Sequence, residues 1–313
     1  MHSAKGIHIA RRWDAVDNSR KLLATLPLLC QTYLMEIRIF DVEHGAAAMI
    51  YSRTTAGIVL IDCGHNSSTG WTPADCVRGE FGKDAVDYLV ISNADQDHYS
   101  NLSRLSDEIG IRTLQTNPTL TADIFEALKI QNGPLSADAK AYASLKRRYT
   151  AGASVHFEDV MGGIYQQWFW CSSQDFEDFN NLSLVTFYTF SGFTVMFPGD
   201  IEGPAWQHLI RREDFRAALR SVTLLVAPHH GRDSGYYREA FAYLQPRFVV
   251  ISDKPIVHQT QVNSTSNYRQ HVAGGGVIVY GKLGMRQVLT TRSDGTISVS
   301  VYDNGSFTVK TEC

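Results

Sequence analysis

Three times along this chain an apolar run of strand length breaks directly into a short cluster of acids, imidazoles or amides. Tyr88-Leu89-Val90-Ile91 passes into Ser92-Asn93-Ala94-Asp95-Gln96-Asp97-His98, residues 193–197 pass into Pro198-Gly199-Asp200, and residues 222–226 pass into Ala227-Pro228-His229-His230-Gly231. A short uninterrupted apolar run fits a strand buried on both faces. In α/β proteins the polar residues that follow such strands line a shared crevice. The pattern therefore points to a layered α/β fold with its chemistry gathered at one edge of the sheets. In a fourth and weaker case, residues 252–258 place His258 just past a strand, as an outer ligand, a substrate contact or a structural histidine.

The rest of the chain fits that class. Alternation at 35–40, followed by strand-like stretches at 46–51 and 57–61, predicts an opening β-meander. A helix is expected after Ser100. Residues 119–150, rich in Ala, Leu and Lys and broken by Gly133-Pro134, predict a helical insertion over the core. Strands are expected at 163–170, 182–190 and 193–197, with a helix at 203–211. Strands at 222–226, 248–252 and 276–280, with helices near 238–244 and 268–272, complete a second βαβ-like half. The dipeptides Asp294-Gly295 and Asn304-Gly305 predict hairpin turns in a tail at 286–311. The absence of repeats or low-complexity linkers favours one domain at 35–313. Residues 1–34 are expected to form a poorly ordered extension. Arg11, Arg12, Arg20 and Lys21 precede an apolar stretch at 22–30, but its brevity, Pro27 and the lack of small residues before Cys30 argue against a signal peptide.

Composition narrows the function. With 313 residues, 44% of them hydrophobic, the chain can bury a large core. A net charge of -3 supplies no global basic field, so any polyanionic substrate must be gripped locally. Five cysteines without a C-x-x-C pair predict reduced thiols and a cytoplasmic location, and argue against a thiolate zinc site. No run approaches the roughly 20 apolar residues that cross a bilayer, so no membrane association is expected.

Within the first cluster, Asn93, Asp95 and Asp97 alternate and can face one centre in extended backbone, while His98 turns to a neighbouring one. Asp200 stands at a strand tip, where a carboxylate can bridge two cations. Neutral imidazoles at His229 and His230 suit metal ligation, and spacing does not decide which of them points inward. Each segment alone could be a solvated turn. Together they predict a site for one or two divalent ions, Zn²⁺ or Mn²⁺.

These segments resemble the metallo-β-lactamase superfamily, and within it the ComEC-type hydrolase domain of the bacterial DNA-uptake channel. Asp41 to Ala47 is similar to the family's Asp-Val-Gly-Gln-Gly-Asp opening, and Leu60-Ile61-Asp62-Cys63-Gly64 to its Leu-Ile-Asp-x-Gly. Asp95, Asp97 and His98 match His-x-Asp-x-Asp-His, with Asn93 in place of the first histidine. Asn181-Leu182-Ser183-Leu184-Val185, Gly199-Asp200 and Pro228-His229-His230-Gly231 complete the likeness. The resemblance implies a four-layer αββα sandwich and a metal-dependent hydrolase acting on a phosphodiester, either nucleic acid or nucleotide. It implies one metal held by Asp97, His98, Asp200 and His229 or His230, and a second held by Asp95, Asp200 and a group near Asn181. Asp97 would also orient the attacking water, His258 would steady the developing oxyanion, and Asp62 is expected to be structural. A small ester or lactone hydrolase and a non-catalytic binding module remain alternatives.

Overall fold

In the computed structural model, which describes residues 32–151, 155–254 and 263–312, the opening alternation forms β1 (Met35–Ile39), β2 (Ala48–Ser52) and β3 (Ile58–Ile61), paired antiparallel in order. The helix α1 (Pro73–Gly79) follows; Thr72 caps it by accepting the Asp75 N–H, and Pro73 sits where a missing donor costs nothing. Then come β4 (Ala85–Val90), parallel to β3, α2 (Leu102–Glu108) and β5 (Gly110–Gln115), parallel to β4. Thr121 and Ser136 cap α3 (Ala122–Lys129) and α4 (Ala137–Arg148) in the same way.

The second half holds α5 (Phe157–Val160), β6 (Tyr165–Phe169), β7 (Val185–Phe190), β8 (Phe193–Phe197), α6 (Gly203–Ile210), α7 (Glu213–Arg220), β9 (Leu224–Val226) and β10 (Phe248–Ile251). After α8 (Ser264–Arg269) come the short pair β11 (Val277–Ile278) and β12 (Met285–Arg286), then β13 (Val288–Thr290) and α9 (Thr291–Asp294). The last two strands are β14 (Ile297–Val301) and β15 (Phe307–Thr311).

Among the described residues the strands form a seven-stranded sheet, β15-β14-β1-β2-β3-β4-β5, and a six-stranded sheet, β13-β10-β9-β8-β7-β6. Side-chain alternation distributes them over three cores. Ile37, Ile50, Val90, Val195, Leu224 and Val250 fill the space between the sheets. On the outer face of the first sheet, Leu60, Leu89 and Ile91 pack with Leu102, Phe125 and Tyr142 of the helices. On the outer face of the second, Met196, Leu225 and Val249 pack with Trp206, Phe215 and Leu219. Helices, sheet, sheet and helices thus form the four-layer α/β sandwich expected.

Several elements differ from the sequence reading. The strand β5 was not anticipated, because Arg112, Thr113 and Gln115 break any apolar run; its extended form follows from pairing at the sheet edge. Residues 276–280 form no full strand of a large sheet: β11 pairs with β12, and Val279 makes a single bridge to Val309 of β15. Asp294-Gly295 is no hairpin turn either. It ends α9, with Gly295 at φ 65°, and there the chain crosses from β13 in one sheet to β14 in the other. Of the two dipeptides, Asn304-Gly305 does lie between paired antiparallel strands.

Candidate metal centre

The apolar-to-polar transitions all emerge at one edge of the sandwich. After β4 the chain makes one tight turn through Gln96–His98, after β8 it runs through Gly199 to Asp200, and after β9 it turns through Pro228–Gly231. Backbone bonds lash these loops together: the His229 N–H donates to the Gly199 carbonyl (3.2 Å) and the Cys63 N–H to the His98 carbonyl (2.8 Å). Gly45, at φ 134°, lets the β1–β2 loop lie against Asp97, where a Cβ would stand 2.4 Å from the Asp97 carbonyl oxygen. His229 and His230 both take left-handed backbone (φ 50° and 51°), a strained arrangement for non-glycine residues that the surrounding loops enforce.

The result is a cluster in which Asp97, His98, Asp200 and His230 each present a ligand-type atom, all within 4.8 Å of one another. His98 Nε2 lies 3.1 Å from Asp200 Oδ1, and His230 Nε2 lies 3.4 Å from Asp97 Oδ2 and 3.6 Å from Asp200 Oδ2. Behind each ring, Nδ1 is committed. His98 Nδ1 donates to Asp62 Oδ2 (2.9 Å), and Asp62 is itself fixed by the Ser92 N–H (2.7 Å) and hydroxyl (2.6 Å). His230 Nδ1 donates to the Ser252 carbonyl (3.0 Å). Both acceptors lack protons, so each neutral ring carries its lone pair on Nε2. Those two Nε2 atoms are buried without a hydrogen-bond partner among the described residues.

The facing carboxylates draw positive charge onto both rings, a charge that a bound cation would supply in place of the ring protons. Burial disfavours a charged His98, yet Asp200 and Asp62 outweigh it and hold the ring well above the usual histidine range. Burial likewise opposes ionisation of Asp97 and Asp200, but the surrounding imidazoles keep both carboxyls far below theirs. An ionised Asp200 that is buried and an ionised Asp97 that is partly buried are costly without positive charge beside them. Two oxygens and two nitrogens at such positions could hold a divalent metal ion.

The remaining expected residues stand elsewhere. His229 faces away from the cluster's middle: Nδ1 is 3.0 Å from both Ser234 Oγ and Glu202 Oε1, while Nε2 is 4.0 Å from Asp200 Oδ2. Asn93 is buried and donates to Asn180 Oδ1 (3.0 Å). Asp95 pairs with Lys129 Nζ at 2.9 Å. Asn181 donates to Asp178 (3.0 Å) and accepts the Ala205 N–H in the first turn of α6 (3.0 Å). His258 lies outside the described residues. The sequence reading passed over His44, whose Nε2 is 3.5 Å from Asp97 Oδ2, and over Glu202 and Arg232. The proximity of Glu202 to Asp200 and of Arg232 to the double histidine was the available signal.

An open cleft of about 820 Å³ lies over the cluster. Asp97, Asp200 and His229 form part of its lining, Lys129, Arg232 and Lys254 bring cations to its walls, and Ser67, Ser68 and Ser100 bring hydroxyls. Arg232 Nη1 sits 3.3 Å from His229 Nε2, and its Nε is buried without a hydrogen-bond partner among the described residues.

No protein-family model matches the chain, and no curated protein does. Among solved structures it is similar to a mutant of CmlA beta-hydroxylase (TM-score 0.46, 13% identity), over 86% of this chain and 54% of that one, so it spans about half of that relative's length. It is also similar to a diphosphatase from the PhnP family (TM-score 0.40, 10% identity), over 84% of this chain and 97% of the other. By its own layer order, two mixed sheets face to face with helices outside both, the chain has a four-layer mixed α/β sandwich fold, consistent with the metallo-β-lactamase type.

Proposed function

We propose that the chain is a metal-dependent hydrolase that holds a divalent ion, Zn²⁺ or Mn²⁺, between Asp97, His98, Asp200 and His230, and cleaves a nucleotide-sized phosphodiester. The observation that carries this reading is the pair of orientation-fixed imidazoles whose unpartnered Nε2 atoms face two ionised carboxylates, Asp200 buried and Asp97 at the floor of the cleft. When bound, such an ion supplies Lewis acidity and lowers the pKa of water at the site towards about 7.

The protein's own groups supply the rest. Asp97, at the cleft and flanked by His44 and His230, accepts a hydrogen bond from the attacking water and fixes its direction. Arg232 and Lys254 bind the non-bridging oxygens and offset charge that grows there in the transition state. His229, kept in its neutral form by burial against the pull of Asp200, holds Arg232 in place without competing for the anion.

Substrate size follows from the walls. The basic helix end at 146–148 offers no platform for a long strand: Lys146 donates to Thr116 and Asn117, and Arg147 pairs with Asp123 and Glu126. A cleft of this volume suits a ligand of nucleotide dimensions.

The test is metal analysis of the purified protein and of Asp97→Ala, with hydrolysis of bis(4-nitrophenyl) phosphate, single-stranded DNA and a simple lactone in added Mn²⁺ or Zn²⁺. Bound metal with phosphodiester cleavage that Asp97→Ala abolishes is expected. Turnover of the lactone alone would replace the substrate class, and protein with neither metal nor turnover would make the fold a binding module.

A further inference from the structure

The residues that the family resemblance assigns to a second ion do not form a second metal site here. Asn93 is 1% exposed and both ends of its amide are used, the nitrogen on Asn180 Oδ1 (3.0 Å) and the oxygen on the Asp95 N–H (3.2 Å). Asn181 is spent on Asp178 and on the first turn of α6. Asp200 turns one oxygen to His98 and the other to His230. Of that set Asp95 still offers a free carboxylate oxygen to the cleft, and a cation of the chain already meets it. From the last turn of α3, Lys129 Nζ lies 2.9 Å from Asp95 Oδ1 and 3.3 Å from the Ala94 carbonyl, over the Phe179 ring at 4.9 Å from its centroid.

We propose that the Lys129 ammonium stands in for a second metal ion, so that the enzyme takes one divalent ion and Lys129 binds the substrate's anionic oxygen beside it. This rests on the hydrolase reading above. An ammonium carries three N–H donors. Asp95 and Ala94 take two, and the third remains for a ligand in the cleft that Lys129 lines. The flanking ring and the short tether to α3 hold that charge in one place, whereas an exchangeable ion would come and go. The chemistry it selects is a phosphoryl oxygen within one side chain's reach of the Asp97–Asp200 ion.

Mn²⁺ binding to the full chain, followed by equilibrium dialysis and by electron paramagnetic resonance of the free ion, tests the stoichiometry. One ion per chain is expected, with Asp95→Asn unchanged and Asp97→Asn severely weakened. Two ions, one of them lost in Asp95→Asn, would overturn the inference and leave the hydrolase reading standing. No ion at all would overturn the reading itself. Lys129→Gln should keep its ion and raise KM for bis(4-nitrophenyl) phosphate by roughly tenfold, the loss expected of one charge-assisted hydrogen bond, with Lys129→Arg restoring part of it. An unchanged KM in Lys129→Gln, or loss of its ion, would show that Lys129 only props the loop.

Discussion

Asp62 is not among the four residues of the cluster, yet it governs one of them. Its carboxylate collects the Ser92 N–H, the Ser92 hydroxyl and His98 Nδ1, and its own backbone is held at φ 59° to do so. A partner of this kind fixes a ligating ring's tautomer and orientation. Asp62→Ala is therefore expected to weaken Zn²⁺ or Mn²⁺ binding roughly 10- to 100-fold without changing the number of ions bound, as measured by calorimetry. Unchanged affinity would mean that packing alone orients His98. At this scale much of the site was legible, because Asp97, His98, Asp200 and the histidine pair carry their chemistry in their side chains. The choice between His229 and His230 was not. It is made by two consecutive left-handed residues and by the Ser252 carbonyl, which lies on a different strand's end. Nor could spacing show that Asn93, Asp95 and Asn181 would be claimed by Asn180, Lys129 and Asp178, since those partners are brought in by the fold.

Among the elements, α4 carries an amine in an unusual state. Lys146 lies against Thr116 and Asn117, and burial pushes its amine down from 10.5 to about 8. The sign is fixed by proton counting. Between those two values the unfolded chain holds a proton that the folded chain has released, so this group adds stability as pH rises across the window and costs stability below it. Wild-type protein should gain on Lys146→Met in urea midpoint between about pH 8 and pH 10; parallel curves would show the amine to be ordinary. Lys146, Arg147 and Arg148 are three consecutive basic residues at the end of α4, and position along the helix could not reveal that the first of them turns inward. The same limit applies to β5, where pairing with β4 overrides a polar composition, and to Asp294-Gly295, where a turn dipeptide serves as a helix end. Long apolar strands were readable because burial on both faces leaves no room for anything else.

For the whole molecule, the layer order follows from strand runs that are apolar on both sides, and a binding event at the edge should be felt throughout. An ion that binds the folded chain alone raises its stability by mass action. Saturating Zn²⁺ or Mn²⁺ should raise the melting temperature, and a chelator should reverse the rise, with Asp97→Ala indifferent to both. The four donors come in pairs from opposite sheets: Asp97 and His98 follow β4 in the first, while Asp200 and His230 follow β8 and β9 in the second. A bound ion is then a clasp across the open seam of the sandwich, and the two layers cannot part at that edge while it is closed. Amide exchange in β4 and in β8 should accordingly slow together on loading, although no hydrogen bond of either strand is touched.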